Sequence, residues 1–449
     1  MKKLFLIFIT LILILSVKAQ DKVTKQGWKL SGLLPTVTFD SDLGFQYGGL
    51  VDFSNYGDGS RYPVYDHHLY FEISRYTKGS GINRFYYDSD KLIKGMLVFV
   101  DLSYLTDQAY DFYGFNGYDA VYNAVWTDDT QPASIYRSRM FYKYDRKMFR
   151  FKSDLQGKIS GEHLRWSTGL TFLNFKLDTV NLAKLNKGRN EGDEKYLRNV
   201  EGLYEKYVKS GIIPEKEANG GFVPTIKAGV VYDTRDFKNN PMKGIWTEVV
   251  LEGATEFLGA ESSFMKLSVT HREYFTITPK NLSLAYRLNY QTTIAGHAPF
   301  YYQTQVLTSE LRGAVSEGLG GGSTLRGVLR NRVVGDGYFL GNIEARWKFI
   351  RFQIGNNDFY LGLNGFMDFG RVTNKIDVNT KNFPTNDHNY LSQLSSFFKN
   401  DAEKMHYSYG AGLRVVMNET FIVKMDTGFA IDKQDGEKMG IYIGLNYLF

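Results

Sequence analysis

Apolar residues recur at every second position through most of this chain, and that pattern admits few folds. Across 282–290, Leu282, Leu284, Tyr286, Leu288 and Tyr290 fall on one face and Ser283, Ala285, Arg287 and Asn289 on the other. A period of two marks a β-strand with unlike faces. A soluble sandwich would bury the apolar face against a second sheet. A membrane barrel would turn it to lipid and point Arg287 into a wet lumen. The same alternation predicts strands near 29–38, 43–54, 66–77, 81–90, 94–105, 136–158, 164–176, 224–233, 245–256, 262–276, 280–294, 338–351, 357–371, 406–417, 420–431 and 438–449, sixteen in all. Most exceed the roughly 9–11 residues a tilted membrane strand requires.

The connections separate the two folds. With the last strand ending in the periplasm, the outward loops include 106–135, 177–223, 295–337 and 372–405, all long, while 160–163 and 278–281 face inward and are short. The segments 55–65 and 233–244 are moderately long exceptions on the inner side. Long outer and short inner connections are a barrel property. The chain has 32 Tyr, 33 Phe and 45 Gly, a composition that suits aromatic girdles at two membrane interfaces. The expected fold is an all-β, 16-stranded antiparallel transmembrane β-barrel with a long surface loop folded into its lumen. Within 193–208, Leu197, Val200, Leu203, Tyr204 and Val208 recur at helical spacing and predict a short helix capping the barrel.

Residues 1–19 read as a secretory signal peptide. Lys2 and Lys3 precede an apolar run from Leu4 to Leu15, and Val17-Lys18-Ala19 offers a cleavage site before Gln20. The barrel is expected over 20–449, with its sixth surface loop near 295–337. Without cysteine the chain can carry neither a disulfide framework, a thiolate metal site nor a lipid-modified N-terminus. Its seven histidines are scattered, and the adjacent His67 and His68 point to opposite faces of a strand, so no metal or cofactor is expected. The net charge of +6 falls to +3 when Lys2, Lys3 and Lys18 leave with the signal, too little to argue for nucleic acid. No Ser/His/Asp order is visible. The glycine run at 318–322 is no phosphate-binding loop, because no Lys-Ser/Thr follows it. The chain reads as a non-enzyme.

The most specific stretch is 318–347, in which Gly318, Gly320, Gly321 and Gly322 precede Arg326 and a polar–apolar strand. On that strand Asn342, Glu344, Arg346 and Lys348 share the luminal face, and on the next Asp368 shares it with Asn364 and Phe366. Two carboxylates thus line adjacent strands, facing the space a returning loop could occupy. Leu325-Arg326-Gly327-Val328 resembles the (V/I/L)RG(F/Y) motif of the BamA/TamA outer-membrane superfamily. Gly335-Asp336, Asn342-Ile-Glu344-Ala-Arg346, Phe366-Met-Asp368-Phe-Gly370 and the Asp233–Asp236 turn with Pro241 and Gly244 are similar to further family motifs. The resemblance covers roughly 224–449. It implies that Arg326 makes an internal contact with Asp368 as first partner and Glu344 as second. Val328 departs from the family's usual aromatic.

The end of the chain resembles the β-signal by which outer-membrane barrels are recognised by their assembly machinery, with Tyr442, Gly444, Tyr447 and Phe449 as its residues. Ile441, Ile443, Leu445, Tyr447 and Phe449 are expected to face lipid. Pro35 lies in the first strand, where it either weakens pairing at the closure or sits at the strand's start. The resemblance implies a protein that assists insertion, assembly or export of polypeptides at the outer membrane of a Gram-negative bacterium. Its expected partners are outer-membrane lipid, the barrel-assembly machinery for its own insertion, and a separate periplasmic or client protein. The stretch between Gln20 and the first strand leaves no room for the POTRA domains of such family members. A gated or constricted channel, and a scaffold of a larger outer-membrane complex, stand as alternatives.

Overall fold

The structure, a computed structural model, describes residues 26–449 apart from 63, 194–195, 239, 310–317, 355–356, 385–392, 418, 420 and 446. The signal peptide expected over 1–19 lies outside the described residues. Sixteen strands form one closed antiparallel barrel in which each pairs with its neighbours in sequence and β1 meets β16. They are β1 (Trp28–Asp40), β2 (Gly44–Asn55), β3 (His67–Tyr76), β4 (Ser80–Ser89), β5 (Met96–Asp111), β6 (Lys143–Ser160), β7 (Leu164–Asp178) and β8 (Phe222–Asp233). The second half is β9 (Gly244–Ala254), β10 (Phe264–Thr278), β11 (Leu282–Gly296), β12 (Gly337–Ile354), β13 (Asn357–Asn374), β14 (His406–Met417), β15 (Phe421–Ala430) and β16 (Gly440–Leu445).

The alternation has its expected meaning. Along β12, Asn342, Glu344, Arg346 and Lys348 are buried while Ile343 and Trp347 are exposed. The exposed side chains form an apolar outer face, for example Leu102, Phe149, Leu170 and Phe172 on β5–β7. Polar residues turn inward because the lumen is where they find partners.

Three boundaries differ most from the sequence reading. Strand β5 runs on to Asp111, because Asp107 pairs with Arg146 across the ladder at 2.7 Å and Asp111 pairs with Lys143. Strand β6 starts at Lys143 rather than 136. The preceding segment leaves the sheet for the outer loops, where Phe141 packs on Trp126 and the Arg137 guanidinium lies 3.6 Å from the Trp126 ring centre. Strand β16 ends at Leu445. The long-outside rule fails before β5, where the first two outer turns, 41–43 and 77–79, are three residues each.

The later outer loops carry the main apolar core. Phe112, Tyr113, Phe115 and Trp126 of the third loop, Tyr204 and Tyr207 of the fourth, Phe300 and Tyr301 of the sixth, and Phe383 and Phe397 of the seventh bury one another as a dome. The helix expected over 193–208 is shorter, α2 (Leu203–Lys209), preceded by a single turn, α1 (Leu182–Leu185). It starts at Leu203 because Glu205 accepts the Gly202 amide (2.6 Å), and it buries Leu203, Tyr204 and Tyr207 in the dome.

Candidate functional site

The sixth outer loop, 297–336, turns back into the barrel. Its inner tip is a narrow hairpin bridged by Leu319 and Val333, with the Gly321 amide donating to the Val328 carbonyl (2.9 Å). Thr324 Oγ1 donates toward the Gly318 and Gly320 carbonyls and accepts from the Gly320 amide, which tightens the turn. Gly320 and Gly321 both have positive φ, 119° and 83°. A Cβ at Gly322 would press on the Tyr442 ring at 2.8 Å. Leu319, Leu325, Val328 and Val333 pack on Tyr338, Leu340 and Val372 of the wall. Val328 is therefore seated among aliphatic neighbours, which a small β-branched residue fills.

That packing delivers Arg326 to the wall fully buried. Its Nε and Nη2 each donate to Asp368 at 2.9 Å, and its own amide donates to Asp368 Oδ2 at 3.0 Å. Nη1 donates to Glu344 at 2.6 Å and lies 3.5 Å from Asp426. The guanidinium carbon sits 3.4 Å from the centre of the Phe366 ring. Asn342 donates to Asp368 (2.8 Å) and to the Thr324 carbonyl (2.7 Å), tying wall to loop a second time. Around these stand Arg346, donating to Glu344 at 2.8 Å, and Arg414, 2.8 Å from Asp426. Three guanidiniums thus face three carboxylates in a buried tier. A fork donor with five N–H groups is what such a bidentate arrangement needs. Burial makes it consequential, because exposed ion pairs contribute only about 0–1 kcal/mol.

The structure brings together Arg326, Gly327, Asp368 and Glu344, and it sets Gly320–Gly322 in the turn behind them. Sequence reasoning missed Asp426, although β15 alternates and places it on the luminal face with Gly428. It also missed two further arginines of the same loop. Arg330 donates to Asp111 of β5 (2.7 Å), on the far wall. Arg332 donates to the carbonyls of Gly117, Ala120 and Gln434 at 2.7–3.0 Å, inside the dome. Next to it Asp435 binds His406 (2.7 Å) and Tyr118 (2.5 Å), and its carbonyl accepts the Leu329 amide (2.7 Å). The loop spans the lumen and is held at both walls and above.

The C-terminal residues are placed otherwise than expected. Ile441, Ile443 and Leu445 follow the outward phase, but Tyr447 and Phe449 are buried on the luminal side. Among the described residues no ladder pair follows Leu445, so the later ones depart from the two-residue phase. Tyr447 instead meets the Tyr360 hydroxyl (3.2 Å), and Phe449 lies against Tyr274. Tyr442 also points inward, and its hydroxyl accepts the Gly327 amide (3.2 Å). Pro35 is not at the start of β1 but in its middle, paired with Gly49 of β2.

These features define a transmembrane β-barrel whose sixth outer loop returns into its own lumen and is fixed there by a buried arginine. Residues 99–449 match the Omp85 superfamily domain, and the chain belongs to that superfamily as an outer-membrane β-barrel. Among solved structures, BamA from Haemophilus ducreyi lacking POTRA domains 1-3 is similar over 94% of this chain and 71% of that one, at 15% identity and a TM-score of 0.52. CdiB from Escherichia coli is similar over 92% of this chain and 62% of that one, at 11% identity and a TM-score of 0.52. At such identities the likeness is one of fold. No curated protein matches the chain.

Proposed function

We propose that this barrel assists the insertion, assembly or export of polypeptides at the outer membrane, without a catalytic step of its own. The β1–β16 seam is its moving edge, and Arg326, held by Asp368 and Glu344, keeps loop 6 seated in the lumen. The observation that carries the reading is the inequality of the two edges of β1. Twelve register pairs join it to β2, and two, Phe39 with Ile443 and Asp40 with Tyr442, join it to β16. Both lie at the outer end of the seam. From Trp28 to Thr38, β1 has no β16 partner among the described residues. Pro35 falls within that stretch and has no N–H to offer.

An unpaired strand edge at membrane depth is costly, since lipid cannot satisfy it. It is also a template for another strand. Under this reading the partners are outer-membrane lipid, client polypeptides and a periplasmic protein that delivers them. The chain is cysteine-free, so a disulfide between Phe39→Cys and Ile443→Cys would pin the paired outer end of the seam and stop its two strands from parting. Outer-membrane proteomics of cells carrying the cross-linked protein should show loss of client proteins, restored by reductant. Clients unaffected by the cross-link would sink the proposal.

A further inference from the structure

Residues 447–449 occupy the periplasmic end of the lumen, and three arginines stand between them and the loop anchor. The guanidinium carbon of Arg346 lies 4.4 Å from the Tyr447 ring centre and 4.9 Å from that of Phe449. Its Nε donates to one oxygen of Glu344 (2.8 Å), and the other oxygen accepts from Arg326 (2.6 Å). Arg287 lies 5.4 Å from the Phe449 ring centre and donates to Asn342 (2.7 Å) and to the Ser323 carbonyl of loop 6 (3.2 Å). Arg414 lies 5.4 Å from the Tyr447 ring centre and 2.8 Å from Asp426, which in turn is 3.5 Å from Arg326. Each guanidinium has a ring of the C-terminal segment on one side and a group of the anchor on the other. A direct link adds to these, since Tyr442 of β16 holds the Gly327 amide.

We propose that the C-terminal segment and loop 6 are one coupled device, in which Tyr447 and Phe449 cover the arginine tier and their withdrawal loosens Arg326. The physical cause is dielectric. Coulombic attraction falls as the effective dielectric rises, so water admitted beside Arg287, Arg346 and Arg414 weakens the ion pairs of the tier together. Aromatic faces suit the cover, because they attract guanidinium while excluding water. Movement of the last strand at the seam thereby reaches the loop through the arginine tier as well as through Tyr442. The coupling runs equally in the other direction, as any linkage between two equilibria must.

The inference rests on the reading of Arg326 as the loop's anchor, and hydrogen exchange on the purified, folded barrel separates the two. Peptides covering 318–333 report the loop, those covering 440–449 report the last strand and segment, and those of β6 and β7 report the intact barrel. Tyr447→Ala with Phe449→Ala should speed exchange across 318–333 by roughly tenfold or more, within the usual range of allosteric couplings, with β6 and β7 unchanged. Arg326→Ala should speed exchange in 318–333 and also in 440–449. If the paired alanines leave 318–333 at the wild-type rate while Arg326→Ala speeds it, the coupling is overturned and the anchor stands. If Arg326→Ala leaves its own loop unchanged, the anchor reading falls with it. Should the paired alanines not assemble, the response of 440–449 to Arg326→Ala decides, and no response overturns the coupling.

Discussion

Gly327 and Gly428 meet backbone to backbone: a Cβ on Gly327 would lie 2.5 Å from the Gly428 carbonyl carbon and from the Phe429 nitrogen. Gly327 also has φ of 98°, where an L side chain is strained. The loop tip can reach Asp368 only because neither residue has a side chain at the crossing.

Gly327→Ala therefore carries two penalties, strain of about 1–3 kcal/mol and a backbone clash, whereas Gly428→Ala carries the clash alone. Both should unseat the tip, Gly327→Ala the more. Limited trypsin digestion reads this directly, since Arg326, Arg330 and Arg332 are buried in the wild type and become cleavable when the loop leaves. A Gly327→Ala barrel as resistant as wild type would show that the crossing does not govern the seat.

Arg326 itself sets the second expectation. Its removal takes from Asp368, Glu344 and Asp426 the one guanidinium that reaches all three, and breaking a buried pair from one side costs about 3–5 kcal/mol. Arg326→Lys keeps the charge but cannot span Asp368 and Glu344 together, so it should recover only part of the loss. Urea unfolding in lipid vesicles would measure these, and the double variant with Asp368→Ala should fall short of additivity by about 0.5–3 kcal/mol. Strict additivity would mean that the two residues do not act as a pair.

The luminal faces of β12 and β13 were legible in the sequence because a two-residue repeat fixes which side each residue takes. Asn342, Glu344 and Asp368 fall where alternation puts them. The repeat says nothing about where a ladder stops, which is why Tyr447 and Phe449 share the parity of Ile443 and yet lie inside. Arg330 finds Asp111 from 219 residues away, and no local pattern encodes such a contact. The dome was equally hidden. Aromatic residues in loops 3, 4, 6 and 7 look in sequence like interface belts, but they bury one another.

Above the barrel, His297 offers a pH-dependent contact outside the strands. Its Nε2 lies 2.7 Å from Glu217 Oε1, while Oε2 of the same carboxylate accepts the Phe300 amide at 2.9 Å. The hydrogen bond it donates to Glu217 holds the imidazole above its ordinary value of 6.5, opposed in part by burial and by Lys216 and aided by Asp336. A raised folded value means that this stabilisation is complete below the ordinary value and is lost as pH rises through the raised one. Exchange of the Phe300 amide, corrected for intrinsic base catalysis, should accelerate through that window in the wild type. His297→Ala should abolish the step, and a step that persists in the variant would assign it elsewhere.

Two of the supports of loop 6 differ in kind, and single-channel recording can tell them apart. Arg326 holds the tip to β12, β13 and β15, while Arg332 holds the upper loop to the carbonyls of Gly117, Ala120 and Gln434. Three charge-assisted hydrogen bonds to carbonyls, at about 1.5–3 kcal/mol net each, help keep the loop over the lumen after the tip is freed. Arg326→Ala alone should therefore give brief, flickering openings in planar bilayers. The double variant with Arg332→Ala should give longer ones, because Arg330 with Asp111 and the apolar packing of the tip are then the main contacts left to return the loop to its seat. A plain channel would conduct steadily in the wild type and ignore Arg326→Ala, which would replace the gated reading with the simpler one. Equal open times in the single and double variants would instead show that the Arg332 contacts contribute nothing to the seat.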